Sequence, residues 1–154
     1  MGIESKSAPD SPATALAALA AAAAVDRAND ATYQFQGRHM MASFMGCSPE
    51  ALLNAAALLG NFSAAANATG ATVLDTCSYV FPNGGVTAIL LLSESHASIH
   101  TYPETGACFV DLFTCGETVD QAKFSAVMFT YLKPVQVQQN VFIRGQSIEH
   151  LETR

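Results

Sequence analysis

The sequence has 154 residues, half of them hydrophobic and 13% charged, which suits a single domain with a substantial core and excludes a chain disordered throughout. Seven Lys+Arg against thirteen Asp+Glu give a formal charge of −6 and no basic cluster, so neither nucleic acid nor an anionic membrane surface is an expected partner. No apolar run reaches the ~20 residues that span a bilayer, leaving a soluble, cytoplasmic domain whose partners are small molecules or copies of itself.

In chain order, Ser5 to Pro12 is polar and Ala13 to Val25 is nearly all alanine. A secretory signal would need a positive flank, but Glu4 and Asp10 stand against Lys6. Lys6 also occupies the position where a myristoylation signal wants Ser or Thr, and the segment is too poor in Arg for a transit peptide. Residues 1–31 read as an Ala-rich, poorly ordered extension, transiently helical because alanine favours helix, ahead of a domain at 32–154.

Tyr33–Met45, broken by Gln36-Gly37, reads as a strand. Ser48-Pro49-Glu50 supplies an N-cap, a first-turn proline and a first-turn acid. The helix it opens would place Leu52, Ala56, Leu59, Phe62 and Ala66 on one face and stop at Gly70. Ala71–Phe81 is strand-like, Pro82-Asn83-Gly84-Gly85 is a turn, and Val86–Leu92 is an apolar run suited to a central strand. Ser98–Tyr102 and Ala107–Thr114 flank a turn at Pro103–Gly106. Thr118-Val119-Asp120-Gln121 has the capping-box form, opening a helix to Leu132 that Pro134 ends. Val135–Ile143 closes the chain as a strand. The order β-α-β-β-β-β-α-β with hairpin joints predicts an α+β two-layer sandwich, an antiparallel sheet with helices packed on one face.

Cys47, Cys77, Cys108 and Cys115 match no CxxC zinc spacing, and the chain is large enough to need no disulfide staples. Four reduced, mostly buried thiols are expected.

Two of the four histidines fall in Glu94-Ser95-His96-Ala97-Ser98-Ile99-His100-Thr101-Tyr102. His96 and His100 are four apart, which converges on a metal on a helix; on a strand that spacing separates side chains by roughly 13 Å. A Ser–His hydrolase would need more than a lone pair, and no GxSxG elbow surrounds Ser95. The remaining reading from the residues alone is a half-buried strand with satisfied polar groups.

The longer pattern shifts the weighting. Glu94-Ser95-His96, Ile99-His100-Thr101-Tyr102-Pro103-Glu104 and Val110-Asp111, followed by Phe113-Thr114-Cys115-Gly116, together with Gly37-Arg38-His39, Cys47, Phe81, Gly85 and Val86 upstream, closely resemble the short, prokaryotic type of the pyruvoyl-dependent S-adenosylmethionine decarboxylase family. The resemblance is close over residues 36–120 and looser to Gly145, and it leaves out residues 1–35.

The resemblance implies a proenzyme that makes its own cofactor. Ser95 would attack the carbonyl of Glu94, turning the peptide bond into an ester; elimination and hydrolysis would then leave a β chain of 1–94 and an α chain of 95–154 headed by a pyruvoyl group. His100 would be the proton acceptor in that elimination, and Thr87, where relatives usually carry serine, would lend a hydroxyl to the tetrahedral intermediate. The pyruvoyl group would hold the substrate's amine as a Schiff base and accept the electrons released with CO₂. Cys115 would then protonate the α-carbon, while Cys47, Cys77 and Cys108 would be structural. Phe81 and Tyr102 would sandwich the adenine, their faces also suiting a sulfonium cation, and Glu104 would hold the ribose hydroxyls. Such chains pair as (αβ)₂ homodimers with sites near the interface and feed spermidine synthesis; nothing in the sequence itself indicates a metal.

Ser78-Tyr79-Val80-Phe81 and the turn after it depart from the family's usual residues. The same pyruvoyl chemistry on ornithine or arginine, with Asp75 and Glu104 facing a distal cation, therefore stands beside the leading reading. An unprocessed, non-catalytic paralogue is the third.

Overall fold

In a computed structural model, residues 36–93, 95–115 and 119–145 are described. The expected extension at 1–31, Glu94 and Thr118 lie outside them. Six strands form one sheet: β1 (Gly37–Met45), β2 (Val73–Val80), β3 (Val86–Leu92), β4 (Ser95–Tyr102), β5 (Ala107–Cys115) and β6 (Gln136–Arg144). Their spatial order is β2-β3-β4-β5-β1-β6, and every neighbouring pair is antiparallel. The helices are α1 (Pro49–Leu53), α2 (Ala55–Ala68) and α3 (Gln121–Leu132). The molecule is the α+β arrangement that the hairpin joints predict.

Strand alternation divides the sheet into two faces. Met40, Ala42 and Phe44 of β1, Val86, Ala88 and Leu90 of β3, Ala97 and Ile99 of β4, and Val110 and Leu112 of β5 are buried in the core with the helices. From the helices come Leu52, Leu58, Phe62, Phe124, Met128 and Leu132. The rings of Phe62 in α2 and Phe124 in α3 meet edge to face, centroids 5.9 Å apart at 83°.

The single helix expected after Ser48 is two helices. Asn54 ends α1 and starts α2, its side chain accepting from the Ala57 N–H at 3.1 Å. A short amide side chain that satisfies backbone donors offers the chain an exit from the helical path, and the break rephases the second helix: Leu58 and Ala65 are buried, Leu59 is half-buried and Ala56 is exposed. Ser48 stands at the N-cap of α1 without a side-chain cap bond; its backbone N–H donates instead to the Leu132 carbonyl at 2.8 Å, tying α1 to the end of α3. Gly70 follows α2 at φ +95°, the left-handed region glycine enters without penalty. The described cap of α3 is Asp120, accepting from Ala122 N–H at 3.1 Å.

Gln121 locks α3 to the sheet. It is buried, and its Nε2 donates to the Arg38 carbonyl at 2.9 Å and lies 3.3 Å from the Thr114 hydroxyl. At the far edge Ser125 Oγ donates to Gln139 Oε1 at 2.7 Å, holding β6 against α3. Among the described residues no helix is long and apolar enough to cross a membrane.

Candidate active site

The helix-free face of the sheet carries Thr87, His100, Tyr102 and Cys115 of the candidate residues. Register places Thr87, Ile89 and Leu91 of β3, His96, Ser98, His100 and Tyr102 of β4, and Phe109, Asp111, Phe113 and Cys115 of β5 on it, since each alternates with a core residue. An antiparallel sheet usually turns polar residues outward. Here Met41, Met45, Ile89, Leu91, Tyr102, Phe109 and Phe142 are all exposed.

Two groups of side chains stand at opposite ends of β3, β4 and β5. At one end Thr87 pairs with His100 across the strands, and the Thr87 hydroxyl is hydrogen-bonded to His100 Nδ1. The His100 ring lies against Tyr102 at 4.6 Å and Phe81 at 5.8 Å between centroids, with Tyr79 on Phe81 at 4.9 Å and Phe109 on Tyr102 at 5.6 Å. The turn that departs from the family's residues acts locally through Asn83, whose Nδ2 donates to Glu104 Oε2 at 3.3 Å while its Oδ1 accepts from the Gly85 N–H at 3.1 Å. Glu104 is thereby held beside the aromatic group. Asp75 pairs with Leu91 at the other end of β2, so the two carboxylates suggested for a distal cation do not converge.

At the other end, Ser95 opens β4 opposite Thr114, the residue before Cys115. Its hydroxyl is 3.2 Å from His96 Nδ1. Phe113 sits between His96 and His39, centroids 5.7 and 5.5 Å away, and the Arg144 guanidinium lies over its ring at 4.6 Å. Phe113 has room to lean there because its neighbour Gly37 lacks a side chain; a Cβ at Gly37 would fall 2.4 Å from the Phe113 ring.

The structure therefore joins Thr87, His100, Phe81, Tyr102 and Glu104 in one group and leaves Ser95, opposite Thr114, and Cys115, the next residue of β5, at the other end of the sheet. It does not bring Ser95, His100 and Cys115 together within one chain. Five residues of extended strand separate Ser95 from His100, about 17 Å. Cys115 lies six residues along β5 from Phe109, the partner of His100, about 20 Å.

The thiols also differ from the expectation of a mostly buried set. Cys47 and Cys108 are buried, Cys115 is half-buried and Cys77 is exposed, all four free. Burial pushes the Cys47 thiol from 9.0 to about 11, and deeper burial beside Cys47 pushes Cys108 further in the same direction. Both stay protonated at neutral pH. Sequence reasoning missed Phe113, Gln121 and Arg144 as site-shaping residues; the last two depend on contacts across 83 residues or on the final strand pairing with β1, and no local pattern carries such pairings. His96 was visible only as a ligand candidate.

The S-adenosylmethionine decarboxylase family model matches residues 38–145. The S-adenosylmethionine decarboxylase proenzyme of Thermosipho melanesiensis is 42% identical over 115 residues, covering 75% of this chain and 82% of that protein. The proenzyme of Methanococcus aeolicus is 35% identical over 113 residues, covering 73% and 97%. The crystal structure of the adenosylmethionine decarboxylase from Aquifex aeolicus superposes with a TM-score of 0.69 at 28% identity, covering 76% of this chain and 97% of that one. With more than half of its length matched, and with the sheet order and helix placement that carry the two residue groups, this chain belongs to the S-adenosylmethionine decarboxylase family.

Proposed function

We propose that the chain is a cytoplasmic proenzyme that splits itself between Glu94 and Ser95 and then decarboxylates S-adenosylmethionine, yielding the aminopropyl donor for spermidine synthesis. The observation that carries this reading is the Thr87–His100 pair, set in an aromatic group on the same open, apolar face as Cys115, with Ser95 at the start of the same strand as His100. A pyruvoyl group formed from Ser95 would supply a ketone that captures the substrate's amine and draws off the electrons released with CO₂. The donor set suits such a group: Ser95 has its hydroxyl beside an imidazole, and the half-buried Cys115 thiol is free of any disulfide.

The separation of the two residue groups points to a homodimer. A twofold axis between two facing sheets, crossing β4 near Ala97–Ser98, reverses the strands and sets the His100 end of each copy over the Ser95 end of the other. Stacked sheets lie about 10 Å apart, a gap that side chains and a substrate can fill. The same packing removes Met41, Ile89, Leu91 and Phe109 from water, which accounts for an apolar patch on the outer face of a sheet. Each site then takes Ser95 and Cys115 from one copy and Thr87, His100, Phe81, Tyr102 and Glu104 from the other.

In that site the Thr87 hydroxyl fixes the His100 ring, and His100 takes the Ser95 α-proton during the elimination that completes processing. Phe81 and Tyr102 stack on the adenine and face the sulfonium, while Glu104, steadied by Asn83, accepts hydrogen bonds from the ribose hydroxyls. Cys115 gives a proton to the substrate's α-carbon after CO₂ has left. Release of CO₂ from S-adenosylmethionine, arginine and ornithine, each supplied to the purified protein and to Ser95→Ala, tests the reading. Release from S-adenosylmethionine alone, abolished in Ser95→Ala, is expected; release from ornithine or arginine instead would overturn the substrate assignment.

A further inference from the structure

Adjacent residues on a strand send their side chains to opposite faces, so Ser95 and His96 should not meet. Ser95 is the first residue of β4, and there its hydroxyl lies 3.2 Å from His96 Nδ1. His96 is exposed, but its ring has aromatic neighbours. It packs against Phe113, with centroids 5.7 Å apart, and stands nearly perpendicular to the His39 ring, at 75° and 6.5 Å. Phe113 is itself braced by His39 and Arg144.

We propose that His96 is the base that starts self-processing by activating the Ser95 hydroxyl, an inference that rests on the self-splitting reading above. A serine hydroxyl is a weak nucleophile until a neighbouring base takes its proton, and within the same chain His100 stands about 17 Å along the strand. His96 Nδ1 accepts the Oγ proton as Oγ bonds to the carbonyl carbon of the peptide bond preceding Ser95. When the C–N bond of that peptide breaks, the same nitrogen returns the proton to the departing amine. An amide and a hydroxyl become an ester and an amine, with no proton or electron gained or lost. The two imidazoles then divide the work: His96 serves the shift to the ester within its own chain, and His100 of the facing copy serves the later elimination.

The experiment uses the full chain, His96→Gln and His100→Ala, each held with and without neutral hydroxylamine, which cuts esters, and reads fragment masses. His96→Gln is expected to split at least ~100-fold more slowly than the unaltered chain, the usual scale of a lost general base, and its uncut fraction should resist hydroxylamine. His100→Ala should stay whole alone and be cut after residue 94 by hydroxylamine. Splitting of His96→Gln at the unaltered rate, or hydroxylamine cleavage of its uncut chain after residue 94, would overturn the role of His96. His96→Gly with added imidazole guards against a folding defect: restored splitting supports the role, and a variant that melts like the parent yet ignores imidazole refutes it. If the unaltered chain never splits, it is the self-processing reading that fails.

Discussion

Two inactive variants should restore each other if each site is shared between copies. His100→Ala removes the proposed base from one residue group and Cys115→Ala the proposed proton donor from the other. The groups lie about 17–20 Å apart in one chain, too far for one side chain to reach the other. In a mixed dimer one site combines both lesions, whereas the other has Ser95 and Cys115 from the His100→Ala copy and Thr87 and His100 from the Cys115→Ala copy. With equal expression and random pairing, about half of the dimers are mixed and each holds one intact site, so about a quarter of the sites are whole. The two variants, carrying different affinity tags, are co-expressed, and CO₂ release and the mass of the split fragments are measured on material retained by both tags. There, about half of the unaltered activity per dimer is expected. Doubly tagged dimers no more active than the two variants alone would refute the shared site and place all the chemistry within one chain.

Removing the Thr87 hydroxyl should free the His100 ring. Thr87→Val is expected to slow splitting about tenfold, the equivalent of one lost hydrogen bond to a reacting group, while Thr87→Ser retains the parental rate; the time course of fragment appearance reads both. Gln121→Leu strips the Arg38 carbonyl and Thr114 hydroxyl of their partner and should lower stability by about 1–3 kcal/mol, measured by urea unfolding of the uncut Ser95→Ala protein. Iodoacetamide near neutral pH should label Cys77 and Cys115 in the folded protein, and Cys47 and Cys108 only after unfolding. Because the Cys47 thiol is raised from 9.0 to about 11 by folding, its stabilising contribution is whole below pH 9. It declines as pH rises to about 11, where the unfolded chain releases a proton that the folded chain still holds. A melting temperature of Ser95→Ala that stays level across that window would contradict this.

The sheet was legible because its strands announce themselves: Val86–Leu92 is an unbroken apolar run, and Pro82–Gly85 and Pro103–Gly106 each start with proline and end with glycine, as tight turns do. Helix phase was less legible. Asn54 looks like any polar helix residue until its side chain is seen capping α2, and that one substitution of partners moves Leu58 inward in place of Ala56. The motif residues were found by their resemblance to a family, yet their spacing in sequence concealed their spacing in space. Ser95 and His100 are five residues apart and read as neighbours, but a strand stretches five residues across most of a sheet. Alternation likewise assigns Ser95 and His96 to opposite faces, so the contact between them shows only in the folded chain. Arg144 and Gln121 reach the site through pairings that no local pattern encodes.

The most direct measurement is the mass of the purified protein under denaturing conditions. Two fragments dividing between residues 94 and 95, the second blocked at its amino end by a keto group, are predicted, with Ser95→Ala remaining whole. A single unaltered chain of 16.2 kDa that resists borohydride trapping with S-adenosylmethionine would contradict it.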